Sequence, residues 1–293
     1  MMSNKKGVVV DGNSLIYRCY YGSLNQLDYY KKHGIEPANA IKLFLNIIFR
    51  ILENKNYDYA LVAFDHAKKN IRHEDFEDYK AGRQKMPEDL VIQLPKIVEY
   101  VSAFGIKAMS LEGFEADDLI GSFANVMNKN DVDVEIYSSD KDMLQLVNDA
   151  TLVNLFKVGV TDIQTINNTN FEENYFGLKP SQVVDFKGIS GDSSDNLKGI
   201  PGIGPKTAAE LLKKYDTLEN IFANVESLPL KQQEKFKENI EHALLCKKLA
   251  TINKTIFDNK EVNEFLKNPT DMKTLEEIIK KHNFSGFDKY LKN

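Results

Sequence analysis

Gly7-Val8-Val9-Val10-Asp11 is a short β-branched run that stops on a carboxylate. Runs of this kind, bounded by polar residues, mark buried strands. Two more repeat the pattern, Ala60-Leu61-Val62-Ala63-Phe64-Asp65 and Val134-Glu135-Ile136-Tyr137-Ser138-Ser139-Asp140. A fourth, shorter strand is expected near Ile106–Met109. Between them apolar residues recur at helical spacing, as in Ala40, Leu43, Phe44, Ile47, Ile48 and Ile51. The spacing predicts helices from about Pro37 to Asn54, Pro87 to Phe104, Phe114 to Lys129 and Lys141 to Asn148. Such alternation argues an α/β fold with a mostly parallel central sheet flanked by helices. In a sheet of this type the carboxyl ends of the strands lie side by side, and ligands bind in the crevice outside them. Three aspartates there crowd negative charge into one cleft, which demands bound cations or shifted pKa values.

After about Asn174 the pattern changes. Helical segments are separated by loops rich in Gly, Ser, Asp and Pro, at Gly188–Asn196 and Gly199–Pro205, and no convincing strand remains. We place a boundary near residue 176, with an α/β domain over 1–176 and an all-helical domain over 177–293. The formal charge of −5 argues at face value against a nucleic-acid partner. Clustering of the acids changes the balance: with nine of them gathered at one site, 34 of the 43 remain against 38 basic residues. A basic track elsewhere is then compatible with the overall charge. Two cysteines, Cys19 and Cys246, exclude a disulfide framework and a thiolate zinc site, and the five histidines lack metal-ligand spacing. No apolar run reaches membrane-spanning length or forms a signal-peptide core, so a cytoplasmic location is expected.

Further acidic groups join the strand-end aspartates. Glu115, Asp117 and Asp118 open a helix after Gly113, where carboxylates complement the helix dipole. Asp142 follows Asp140 by two residues, and Asp192 and Asp195 lie three apart in a Gly191-Asp192-Ser193-Ser194-Asp195-Asn196 loop. Each of these alone reads as a cap or an Asx-turn. Together they form an all-oxygen ligand set, which suits Mg²⁺ or Mn²⁺. Two such ions ~3.5–4 Å apart would bind the attacking and leaving oxygens of an in-line phosphoryl displacement. That chemistry needs no Ser, Cys or His nucleophile.

Gly199-Ile200-Pro201-Gly202-Ile203-Gly204-Pro205-Lys206-Thr207-Ala208 leads straight into a helix. Its glycines let backbone N–H groups approach a ligand closely, and the helix start favours phosphate, with Lys206 adding charge. The pattern matches the hairpin of helix-hairpin-helix motifs, which grip a strand's backbone without reading bases. Lys68–Lys85 mixes charges with Phe76 and Tyr79 directly after the strand end at Asp65. Charge runs are usually solvated faces. In this position, however, Arg72, Lys80 and Arg83 come within reach of a phosphate held by ions, and aromatic faces assist in gripping single strands.

Taken together, these blocks resemble the 5′-nuclease family: the N-terminal 5′→3′ exonuclease domain of bacterial DNA polymerase I and the stand-alone flap endonucleases. The matching blocks are Val10-Asp11-Gly12 with Tyr17-Arg18, Phe64-Asp65, Arg72-His73-Glu74 and Tyr79-Lys80 with Arg83. They continue through Glu115-Ala116-Asp117-Asp118, Ser139-Asp140-Lys141-Asp142, Gly191-Asp192 with Ser194-Asp195-Asn196, and Gly199–Ala208. The resemblance implies that Asp11, Asp65, Glu115 and Asp117, with Asp118 adjoining, hold a first ion, and that Asp140, Asp142, Asp192 and Asp195 hold a second. Asp117 and Asp140 count with Lys80 and Arg83 as catalytic. It also implies a PIN-like 5′-nuclease fold with a helical arch near 66–90 that carries Tyr79, Lys80 and Arg83, Lys80 touching the scissile phosphate. The hairpin at 199–206 would be part of a helix-3-turn-helix, with Gly202, Gly204, Lys206 and Thr207 on the duplex and K⁺ held by its carbonyls.

The implied activity is Mg²⁺-dependent hydrolysis at 5′ ends, nicks, 5′ flaps and RNA primers during DNA replication and repair. A monomer working beside a DNA polymerase, without a membrane, is expected. A PIN-like ribonuclease would need only about four acids and no hairpin. A branched-DNA-binding paralogue without chemistry would not need the full carboxylate set.

Overall fold

Val8, Val9 and Val10 are at most 1% exposed, so the strand Lys6–Asp11 (β1) is covered on both faces, as strands of parallel sheets are. The other strands are Tyr59–Ala63 (β2), Lys107–Met109 (β3), Asp133–Ser138 (β4), Thr151–Phe156 (β5) and Ile163–Ile166 (β6). They lie in the order β3-β2-β1-β4-β5-β6. β1 to β5 run parallel, and β6 pairs antiparallel with β5. These relations come from a computed structural model that describes residues 5–53, 55–68, 70–158 and 162–291. Asn54, where one expected helix ends, and Lys69 of the basic segment lie outside the described residues.

Strand alternation divides the core in two. Val8 and Val10 share one apolar cluster with Leu15, Phe44, Ile48 and Val101, whereas Val9 belongs to the other with Leu119 and Phe123 of the helix Ala116–Lys129. The chain moves outward from β1 to β2 and β3 on one side and places β4 on the other. A crevice therefore opens at the carboxyl ends of β1 and β4, where the strand order reverses. Gly12 makes the turn out of β1 possible: a Cβ there would stand 2.3 Å from the Phe64 ring and 2.7 Å from the Ala63 carbonyl oxygen.

The mostly parallel sheet, the flanking helices and the helical C-terminal region agree with expectation, and the four expected strands fall where the sequence places them. The differences have physical causes. The helix expected over Pro87–Phe104 is broken into Glu88–Val91, Leu94–Val101 and a 3₁₀ turn at Ser102–Phe104. Pro95 has no N–H for the Val91 carbonyl, and its ring crowds that turn. The break frees buried Gln93, whose side-chain oxygen accepts from Ala40 N–H at 2.9 Å and so ties down the start of the helix Asn39–Leu52. Lys141–Leu146 is a 3₁₀ helix rather than an α-helix. The helices Gly12–Gly22 and Leu24–Lys32 and the strands β5 and β6 were not anticipated.

Helices Val183–Ser190, Pro205–Tyr215, Leu218–Ala223 and Leu230–Ala250 build the helical region. The chain then returns to the sheet. Ile252, Phe257 and Phe265 join the Phe123 cluster, and Leu275, Ile278, Phe287 and Tyr290 join the Val8 cluster. The residues after Ala250 thus also pack on the α/β layer. Burying a side chain such as Phe287 contributes ~1.5–3 kcal/mol, which is why these aromatics seek the open faces of the sheet.

Candidate metal centre and nucleic-acid interface

The crevice is a cleft of about 1120 Å³ whose lining includes Asp11, Asp65, Asp117, Asp140, Asp142 and Asp192. Asp11 ends β1 and is 4% exposed. One of its oxygens accepts from Ser14 N–H at 2.9 Å, capping the helix Gly12–Gly22, and the other accepts from Ser138 Oγ at 2.6 Å. Burial pushes the Asp11 carboxyl up to about 7, against those two hydrogen bonds and with help from the charges of Asp140 and Asp65. Asp65 accepts from Ala116 N–H and from Asn13 Nδ2, both at 2.8 Å. Burial, with the Asp140 charge beside it, also holds Asp117 well above the usual carboxylate range. Asp140 accepts from Asp142 N–H at 2.8 Å and caps the 3₁₀ turn.

The second part of the basket comes from the helical region. Asp192 and Leu197 exchange backbone hydrogen bonds of 2.7 and 2.8 Å, closing the loop after helix Val183–Ser190. One Asp192 oxygen makes the Asx-turn, accepting from Ser194 N–H at 2.8 Å. The other accepts from Lys187 Nζ at 2.5 Å. Oxygens of Asp142, Asp192 and Asp195 all lie within 4.8 Å of one another, and among the described residues no other trio of acids does so. Two full charges that far apart repel by roughly 3–4 kcal/mol at an effective dielectric of ~20. Lys187 offsets this by pairing with both Asp142 and Asp192. It holds Asp192 down at about 2 in spite of partial burial, whereas burial and the Asp140 charge raise Asp142. The sequence reading missed Lys187. Its signal was a lysine on the helix leading into the Asp192 loop.

Lys80 lines the same cleft. Its backbone is left-handed at φ 57°, held by a 3.1 Å hydrogen bond from its N–H to the Asp195 carbonyl. Its Nζ donates to Glu115 at 2.7 Å. Burial pulls the ammonium down, but Glu115, Asp117 and Asp195 more than offset this and keep it raised. Arg83 is half-exposed at the cleft and pairs with Asp195 at 3.0 Å. Three expected contacts are assigned elsewhere. Arg72 is not free to meet a phosphate, because its guanidinium clamps Asp118 at 2.7 and 2.8 Å, Glu115 at 3.1 Å and the Leu249 carbonyl at 2.9 Å. Asp118 is correspondingly spent on Arg72 and on Asn253 N–H at 2.9 Å, and does not line the cleft. Tyr79 is 3% exposed, packed with Leu197 and Leu249, and donates to Glu115 and Asp195, so its ring offers no stacking face. Among the described residues, the segment expected as an arch holds the short helix Ile71–Asp75, then a run of turns before the helix Glu88–Val91 begins.

The hairpin lies between the helices Val183–Ser190 and Pro205–Tyr215, in the loop that also carries Asp192 and Asp195. Gly199 and Gly202 are left-handed, and a Cβ on Gly199 would stand 2.3 Å from Gly191 N. Gly204 caps the second helix, with Pro205 at its first position. Gly204 and Lys206 are exposed and Thr207 is half-buried. The carbonyl of Gly202 accepts from Lys235 Nζ at 3.1 Å.

The donor set tests positively for a hard divalent cation. The acids are oxygen ligands, no histidine or cysteine lines the cleft, and Asp11 and Asp117 are crowded enough to resist ionisation without a countercharge. Such a cleft at the switch point of a parallel sheet suits a metal-dependent enzyme of phosphoryl chemistry. The comparisons with known proteins specify which kind. Residues 6–176 match the N-terminal resolvase-like domain of the 5′-3′ exonucleases, and residues 178–280 match their C-terminal SAM fold. A 5′-3′ exonuclease of Mycoplasma pneumoniae is 40% identical over 278 residues, covering 95% of this chain and 96% of that one. DNA polymerase I of Bacillus subtilis is 42% identical over 253 residues, which are 86% of this chain and 28% of the polymerase. A bacteriophage T5 flap endonuclease, solved as a pseudo-enzyme-product complex with DNA and metal ions, shares the fold at TM-score 0.70 and 18% identity, over 94% of this chain and 98% of that one. The chain belongs to the 5′-3′ exonuclease family. Neither the PIN-like ribonuclease nor the binding-only paralogue gains support from these relatives. No helix among the described residues is long and apolar enough to cross a membrane.

Proposed function

We propose that the protein is a Mg²⁺-dependent 5′→3′ exonuclease and 5′-flap endonuclease acting on DNA 5′ ends, nicks, flaps and RNA-primed DNA in replication and repair, beside a DNA polymerase. The observation that carries this reading is the convergence of acids from β1, the segments after β2 and β4, the helix Ala116–Lys129 and the Asp192 loop on one cleft. Asp11, Asp65, Glu115 and Asp117 would hold one ion, and Asp140, Asp142, Asp192 and Asp195 the other. When bound, two Mg²⁺ ions supply a polarised water and charge stabilisation for the attacking and leaving oxygens; Mn²⁺ can substitute.

The chain's own residues do the rest. Lys80 and Arg83 face the cleft from one segment and orient the scissile phosphate through its non-bridging oxygens. Asp117 and Asp140 fix the geometry at the reacting centre, while the buried frame of Arg72, Tyr79 and Asp118 keeps Glu115 in place. Hydrolysis breaks the P–O3′ bond and leaves a 3′-hydroxyl and a 5′-phosphate. The hairpin's glycines, Gly202 and Gly204, and the helix start at Lys206 and Thr207 grip the duplex backbone. A K⁺ ion there would use carbonyls other than that of Gly202, which already accepts from Lys235. The working form we propose is a monomer in the cytoplasm.

The test is Asp140→Ala. Cleavage of a 5′-flap in Mg²⁺ should be lost while flap binding in Ca²⁺ persists. Wild-type turnover by the variant would refute the assignment.

A further inference from the structure

We infer that Lys187 is a built-in occupant of the second cation position: its ammonium holds Asp142 and Asp192 together until a divalent ion displaces it, so the two ions bind with unequal strength. The inference deepens the metal-centre reading above and rests on it.

Lys187 is 8% exposed. Lysine is almost never buried so deeply without partners, and here the partners are two of the three acids whose oxygens lie within 4.8 Å of one another. The third, Asp195, is met by Arg83 and Tyr79. Lys187 therefore bridges two of the trio, and Arg83 pairs with the third.

The helix that carries Lys187 is fixed. Asp185, two residues earlier, accepts from Leu218 N–H at 2.8 Å and from Lys247 Nζ at 2.7 Å. Gly188 approaches helix Leu230–Ala250 so closely that a Cβ would stand 2.9 Å from the Ala243 carbonyl oxygen. Backbone movement cannot withdraw the ammonium, but rotation of the flexible four-carbon stem can. Mg²⁺ takes oxygen ligands at about 2.0–2.1 Å and demands near-octahedral geometry. An ion on the Asp142 and Asp192 oxygens now bonded to Lys187 would share its position with a positive charge, so the two must exchange. Binding at the second position is thus a replacement.

The other half of the basket differs. Among the described residues, no lysine or arginine forms an ion pair with Asp11, Asp65 or Asp117 of the first-ion set. An ion on the Asp11, Asp65 and Asp117 oxygens displaces no side-chain cation paired with them, whereas Glu115 beside them is held by Lys80 and Arg72. The first ion therefore belongs to the strand ends and the second to the Lys187 position.

The experiment counts Mn²⁺ binding to the whole chain by calorimetry and by the electron-paramagnetic-resonance signal of free Mn²⁺, for wild type and for Lys187→Met. Wild type should bind one ion at least about tenfold more tightly than the second. In Lys187→Met the second ion should tighten by about tenfold or more while the first is unchanged. Thermal unfolding should show the variant weakened without Mn²⁺ and restored at saturating Mn²⁺. A second-ion affinity that is unchanged or weaker overturns the inference, as does an equal loss of stability with and without Mn²⁺, the mark of a merely structural prop. If ions bind as expected of a metal centre and only the Lys187 effect is missing, the metal-centre reading survives alone; if neither protein binds Mn²⁺, both fall. Should Lys187→Met fail to fold, ¹⁵N-lysine ammonium resonances of the wild-type chain decide. The protected Lys187 signal should persist through the first equivalent of Zn²⁺, a diamagnetic probe, and vanish with the second. A signal unchanged at saturation overturns the inference.

Discussion

Asp11, Asp65, Asp117 and Asp140 stand at the ends of strands and in a helix start with no side-chain cation paired to them among the described residues, whereas Asp142, Asp192 and Asp195 are each met by Lys187 or Arg83. Burial raises Asp11 and Asp117, while the nearby ammonium lowers Asp192. Asp142 stays raised by burial and Asp140 despite its lysine, so within the cleft it is Asp192 that its ammonium relieves in advance. The lesson is that a metal site need not be uniformly poised: acids on the rigid sheet tolerate crowding because the strands hold them, while acids on a loop need a protein cation to gather them.

The largest expected effect separates the halves directly. Asp117→Asn should lower cleavage by about 10²–10³-fold yet raise the melting temperature of the ion-free protein, because it removes a carboxylate that burial and Asp140 already penalise. Asp192→Asn should do the opposite to ion-free stability. It leaves Lys187 with Asp142 alone, costing about 1–3 kcal/mol in urea unfolding. Shifts of the same sign in both variants would break the comparison.

Arg72→Met probes the frame behind both halves. It strands Asp118 as a buried acid without a cation and leaves Glu115 to Lys80 alone, at a cost of about 3–5 kcal/mol. Urea midpoints with and without Mg²⁺ measure that cost. A variant as stable as wild type would show that Arg72 is not the strut its bonds to Asp118 and the Leu249 carbonyl describe.

A smaller effect follows from pH. Asp11 titrates near 7 in the folded chain against an ordinary value of 3.8. A raised carboxyl binds its proton more tightly when folded, so ion-free stability falls as pH climbs from about 4 to 7. Mg²⁺ needs the ionised form, so the stabilisation it provides should grow between pH 6 and 8. Thermal unfolding at several pH values, with Mg²⁺ and with a chelator, reads both slopes. A Mg²⁺ effect independent of pH would show that Asp11 carries no raised pKa.

Legibility in the sequence tracked how local each signal was. β1 was plain because Val8, Val9 and Val10 are buried on both faces and end on a charge. β5 was hidden because Asn154 interrupts Thr151–Phe156; its side-chain oxygen accepts from Thr165 across the sheet at 2.7 Å, a pairing that no reading of one segment reveals. Helix Gly12–Gly22 was hidden because its cap, Asp11, also reads as a strand end. The acids of the cleft were legible as residue types, but their partners were not. Arg72 and Lys187 look like any basic residues in a charged segment, and only the fold shows that one is spent on Asp118 and the other on Asp142 and Asp192. Tyr79 misled for the same reason: next to Lys80 it suggested stacking, and the fold buries it under Leu249.

The smallest effect tests whether the hairpin is a further region, outside the cleft's balance of charges. Lys206, exposed in the first turn of the helix Pro205–Tyr215, pairs with no acid among the described residues. A lysine with no internal partner has its whole charge available for a phosphate. Lys206→Ala should therefore weaken duplex binding equally across sequences and reduce the slope of log K against log salt by about one unit. Cleft cations such as Lys187 have their charge met by acids, and their substitution should leave that slope as it is. Binding isotherms at several KCl concentrations, in Ca²⁺ to prevent cleavage, measure both. An unchanged slope for Lys206→Ala would place the duplex elsewhere on the surface.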